Sequence, residues 1–160
     1  MSPPVKGWVF AVGNPCSYLD DDTNKNIEKL KNWLRTLSSQ FGEVQAFATH
    51  RVTEYHHWTL ARNGSIIRSY AYCGESGEVL DDDGAKTADE PVFNLEGVGD
   101  FCAPDEDTVM TVAGTWGVNP QSLDDEPISS RLGLLGSITV REAASQPPVK
   151  KKGFRLPWFR

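Results

Sequence analysis

Glu54, His56 and His57 fall within four residues of one another, and a histidine beside a carboxylate is a common side-chain pair for moving a proton near neutral pH. Two residues apart on a strand, Glu54 and His56 share a face, so an acid–base pair is geometrically open to them. Glu75 and Glu78 fall at the same end of the hairpin this segment suggests, and a small hydrolase using Glu54, His56 and His57 is one reading of the cluster. A metal centre is disfavoured. His50 adds no H-x-x-x-H spacing, and Cys16, Cys73 and Cys102 are dispersed with no C-x-x-C. The run VLDDDGAKTADE aligns Asp81, Asp83, Gly84, Thr87 and Glu90 with a calcium loop but places Val79 where the first carboxylate must stand. GESGE around Ser76 carries Glu78 where a nucleophile elbow needs its second glycine. Gly97-Val98-Gly99 alone is too little for dinucleotide binding, and no phosphate loop is present, so no cofactor is expected.

The elements that must position these residues centre on Asn63-Gly64, which supplies the two positive-φ positions of a type I′ hairpin turn. With a regular ladder on both sides, Arg62 faces Ser65, Thr59 faces Arg68, His57 faces Tyr70, His56 faces Ala71 and Tyr55 faces Tyr72. One side then collects Trp58, Leu60, Ile67, Ala71 and Cys73, with His56 and Glu54 towards its end, and is expected to face the core. The other collects Tyr55, His57, Thr59, Ile66, Arg68, Tyr70 and Tyr72. Tyrosine and arginine give rigid contact area and directional donors, so Tyr55, His57, Arg68, Tyr70 and Tyr72 are the candidate partner-binding residues. The competing reading is that a helix covers them.

Around the hairpin, Ile27, Leu30, Leu34 and Leu37 recur at helical spacing and predict a helix over about 24–39, opened by Asp22 or Thr23 and closed by Gly42. EVQAFATH at 43–50 alternates as a strand. GWVFAVG at 7–13 reads as a short buried strand, Val79 and Leu80 as part of another, and Lys86 to Glu90 as one helical turn. Pro104 at a first helical position followed by Asp105, Glu106 and Asp107 predicts a second helix to about 117, ended by Gly117 and Asn119-Pro120. Together these give an α+β domain, an antiparallel sheet of about four or five strands with two main helices packed on it, spanning 1–144.

Charge narrows the partner. The net charge of −6 is uneven: residues 141–160 hold six basic groups against Glu142, so that segment is +5 and residues 1–140 are −11. An acidic body repels nucleic-acid backbone and favours a cationic protein partner. The segment from about 145 to 160, ending KKKGFRLPWFR, is expected to be a flexible basic, aromatic tail able to touch an anionic membrane surface or an acidic partner. No apolar run approaches a membrane span or a signal-peptide core, and the cysteine pattern suits a reducing compartment, so a cytoplasmic location is the expectation. The cysteines themselves are expected to be small buried side chains.

The pattern Trp58, Arg62, Gly64, Arg68, Tyr70, Tyr72, then GESGEVL, the PDE helix start and TWGVNP resembles small bacterial proteins of the immunity type that accompany polymorphic toxins. The resemblance spans about residues 43–123 and rests on turn and sheet residues. It implies a non-enzymatic protein that blocks a toxin by binding it, and it leaves the basic aromatic tail unexplained.

Overall fold

A computed structural model describes residues 1–13, 23–88, 90–95, 102–125 and 133–134. The expected tail at 145–160, the Asp22 cap, Cys16 and the 97–99 glycines lie outside the described residues. Helix α1 (Thr23–Phe41) leads into strands β1 (Glu43–His50), β2 (Tyr55–Arg62), β3 (Ser65–Cys73) and β4 (Glu78–Asp83), followed by α2 (Glu106–Trp116) and a 3-10 turn at Pro120–Asp125. The strands form one antiparallel sheet in the order β1-β2-β3-β4. The fold is therefore α+β, four strands with two helices.

Local chemistry accounts for each boundary. Gly42 ends α1 with φ +85°, a backbone region that costs a β-carbon-bearing residue more than glycine. Asn63 and Gly64 take φ of +47° and +83° and join β2 to β3, as the type I′ reading requires. Helix α2 opens at Glu106, two residues later than Pro104 at a first helical position suggested. Asp105 is the N-cap, its carboxylate accepting from the Thr108 amide while Thr108 Oγ1 accepts from the Asp105 amide. Residues 7–13 do not form the expected buried strand: Val5 and Trp8 make an isolated bridge, and Val9 and Val12 are exposed. Trp8 instead lies against Gly117, where a β-carbon would come 2.8 Å from its indole nitrogen. Where one helical turn was expected over Lys86 to Glu90, the Glu90 amide donates to the Thr87 carbonyl, residue 89 lying outside the described residues. Cys73 is half-buried and Cys102 exposed, so the expectation of buried cysteines fails at Cys102.

The register differs from a regular hairpin in one place, and the difference rearranges both faces. Ladder pairs run Arg62↔Ser65 and Ala61↔Ile66, then jump to Leu60↔Arg68, leaving Ile67 as an extra residue on β3. Beyond the bulge Thr59 faces Ser69, His57 faces Ala71, His56 faces Tyr72 and Tyr55 faces Cys73, each one residue from the expected partner. Because side chains alternate with period two, that single insertion moves the distal half of β3 to opposite sides. Trp58, Tyr70 and Tyr72 share a face with Phe47 and pack beneath Val109 and Val112 of α2. Tyr55 and Ala71 share the other with Ile27 of α1 and Leu80 of β4.

Both faces are thus covered, one by α1 and one by α2 with the 93–95 segment. From Tyr55 to Ala61 every residue of β2 is buried. Among the described residues most buried polar side chains are paired, Trp58 Nε1 and Arg68 Nη2 being buried atoms without a hydrogen-bond partner. Thr59 Oγ1 lies 2.8 Å from His57 Nε2 and 2.7 Å from Ser69 Oγ. Lys31, almost fully enclosed on α1, binds Asp81 and Asp83 of β4 and Glu28 of its own helix. Burial opposes its charge, but the three carboxylates outweigh burial and raise its pKa.

Candidate functional site

Neither face of the sheet is free, so the five residues expected to form a binding surface must be placed again. Tyr70 and Tyr72 lie under α2, Arg68 lies on the same face beside Glu90, Tyr55 and His57 lie under α1, and all five are buried. They neither share a face nor reach solvent, because the Ile67 bulge shifts β3 against β2 and a helix packs on each side. Their chemistry is structural. Tyr70 stacks on Trp58 at 4.8 Å and on Phe93 at 5.6 Å, with burial pushing its phenol up to about 12. Burial likewise raises Tyr55.

Arg68 is the hub of the α2 face. Its Nε donates to Glu90 Oε2 at 2.9 Å and Oε1 at 3.1 Å, and its Nη1 to Asp82 and to the carbonyls of Asp83 and Gly84. Burial opposes its charge, while the bonds to Asp82 and Glu90 raise its pKa. Glu90, itself enclosed, also accepts from the Thr87 amide and hydroxyl, so the network pins 84–90 onto the sheet. The stretch tested as a calcium loop is β4 plus this pinned connection, with Glu90 committed to Arg68. Among the described residues no group of three or more histidine, cysteine, aspartate or glutamate side chains is placed to hold a metal ion.

A cleft of about 310 Å³ opens at one end of the sheet, lined by Arg51, Glu54, His56, Asp105, Glu106 and Asp107. The β1–β2 turn supplies Arg51 and Glu54, the start of β2 supplies His56, and the N-cap and first turn of α2 supply the three acids. Glu54 and His56 do come together as their spacing suggested: His56 Nε2 lies 3.3 Å from Glu54 Oε2, and its Nδ1 lies 3.2 Å from Thr49 Oγ1. His57, the third member of the expected cluster, points to the opposite face. Burial holds its pKa down to about 4, with Lys31 adding to the depression and Asp81 opposing it.

The electrostatics of the cleft are one-sided. Thr108 bonds hold Asp105 below the ordinary carboxylate range, and the Arg51 bond does the same for Glu106. Both therefore stay ionised beside Glu54 and Asp107. Arg51 is tied to Glu106 at 2.7 Å and is 82% exposed, so it neutralises one acid and leaves Glu54, Asp105 and Asp107, all exposed, around the buried His56. The positive end of the α2 dipole also opens here, but its cap and first-turn acids already occupy that role. In the sequence Asp105, Glu106 and Asp107 read as helix-opening residues only. Nothing local signals that Glu106 meets Arg51, which lies 55 residues away. Comparison of the chain with protein-family models, with curated proteins and with solved structures found no match.

Proposed function

We propose that this chain is a non-enzymatic binding protein that takes a cationic protein partner, seating a basic side chain of that partner in the cleft formed by Glu54, Asp105, Glu106 and Asp107. The observation that carries this reading is the composition of the cleft, four carboxylates against one exposed arginine. Sites for small apolar ligands are lined mostly by hydrophobic side chains. This one has polar walls and opens broadly to solvent, which suits a charged side chain held at a protein interface. The −11 charge of residues 1–140 extends the same preference over a longer range and speeds encounter with a basic partner. An immunity-type role in the cytoplasm, neutralising a basic toxin by stoichiometric binding, is consistent with this chemistry.

Affinity capture from the native host, using wild type and the Glu54→Lys/Asp107→Lys variant, tests the proposal. A basic protein retained in one-to-one amount by wild type, released by salt and lost with the variant, supports it. Retention unchanged by the double substitution refutes it. The His56–Glu54 contact favours a second reading, acid–base catalysis at the same cleft. Under that reading His56→Gln abolishes a turnover that wild type displays, and partner capture is untouched.

A further inference from the structure

Strand β1 is an edge, and among the described residues no strand pairs with its outer side. The Asn63 amide donates to the Gly42 carbonyl across the β1–β2 ladder. Bonding alternates along an antiparallel strand, so Val44, Ala46, Ala48 and His50 direct their amides and carbonyls to β2. Glu43, Gln45, Phe47 and Thr49 then direct theirs outward. Natural edges are blunted by charge, proline or a bulge. The other edge of this sheet follows that rule: β4 carries Glu78, Asp81, Asp82 and Asp83 in six residues and has a register irregularity opposite Ala71/Tyr72. Strand β1 has none of these devices over the six residues VQAFAT, and its eight-residue ladder to β2 is unbroken.

We infer that β1 pairs antiparallel with β1 of a second copy of this chain, joining two four-stranded sheets into one of eight strands about a two-fold axis at Phe47. Opposed residues in an antiparallel pair lie on one face, so only registers joining residues of the same parity keep the α1 and α2 faces continuous across the junction. Centring the axis on Phe47 meets this condition. It sets Gln45 against Thr49, Ala46 against Ala48 and Val44 against His50 of the second copy, and brings Glu43 to Arg51 at both ends. That charge match selects this register over the alternative centred on Ala46, in which Glu43 meets Thr49. Glu43 and Arg51 now hold Arg62 and Glu106 respectively on the surface, interactions weak enough to be shared or exchanged. A two-fold pairing closes on itself and uses up the free edge, so assembly stops at the dimer.

Sedimentation equilibrium across a concentration series tests this on the full chain. Wild type should pass from 17.7 kDa to twice that mass as concentration rises. Gln45→Pro removes one outward amide, a substitution an edge strand tolerates, and should remain monomeric with its circular dichroism spectrum retained. Glu43→Arg and Arg51→Glu should each weaken dimerisation about tenfold, and the double variant should restore it. A wild type that stays monomeric throughout overturns the inference, as does a folded Gln45→Pro variant that still dimerises. Single charge reversals that leave the dimer unchanged overturn the register.

Discussion

His57 lies wholly inside the sheet–α1 interface with Thr59 as its hydrogen-bond partner, and burial brings its pKa from an ordinary value of 6.5 to about 4. The unfolded chain binds a proton at this ring near 6.5, whereas the folded chain binds it only near 4. Between those values the unfolded state holds more protons, so stability falls as pH drops through the window and levels off below it. At about 1.4 kcal/mol per pH unit the full effect is about 3 kcal/mol, most of it already lost at pH 4.5. Other groups titrate in the same range, and a His57→Gln variant isolates this one by removing the proton site while keeping a polar side chain. Urea unfolding followed by tryptophan fluorescence at pH 7 and pH 4.5 should show wild type losing about 2 kcal/mol more than the variant between the two. Equal losses would refute the reasoning, meaning that this ring is solvated or charged in the folded protein.

Further substitutions probe the other buried parts. Glu90→Gln leaves the enclosed Arg68 guanidinium with Asp82 as its remaining carboxylate, and should cost about 3 kcal/mol in denaturant unfolding. The Arg68→Met/Glu90→Leu pair should cost less than that single change, because it leaves no buried charge unmatched. Gly84→Ala should destabilise by about 2 kcal/mol or more, since glycine there has φ +83° and a β-carbon would fall 2.2 Å from the Ile67 carbonyl oxygen. Glu54→Gln, at an exposed rim position, should leave the thermal midpoint within about a degree of wild type.

Much of the chain's local structure is legible in its residues. The β1 range, the reversal at Asn63-Gly64 and the α1 stripe of Ile27 and Leu34 follow from alternation, turn chemistry and helical spacing. The faces do not. No residue type in Ser65-Ile66-Ile67-Arg68 announces that Ile67 is extra, because a bulge is set by how β3 meets its neighbour and by the approach of Gly84 to the Ile67 carbonyl. An arginine and three rings within a short span suggested a surface. Burial is possible because Glu90 and Asp82, distant from Arg68 in sequence, return to pair it. At the candidate site the Glu54–His56 contact was readable from spacing on a strand. The acids of α2 were not, since only tertiary packing brings that helix start against the β1–β2 turn. Trp8 misled for a related reason: an aromatic run reads as strand core, yet its ring packs on Gly117.

Helices close both faces of the sheet, and the acidic cleft is the proposed working surface. Hydroxyl-radical footprinting of the protein, free and bound to its captured partner, tests this most directly. Tyr55, Trp58, Tyr70 and Tyr72 should be unmodified in both states, while Glu54 and Asp107 should be modified in the free protein and protected in the complex. Reactive Tyr70 and Tyr72 rings that become protected on binding, with the cleft residues unchanged, would contradict it.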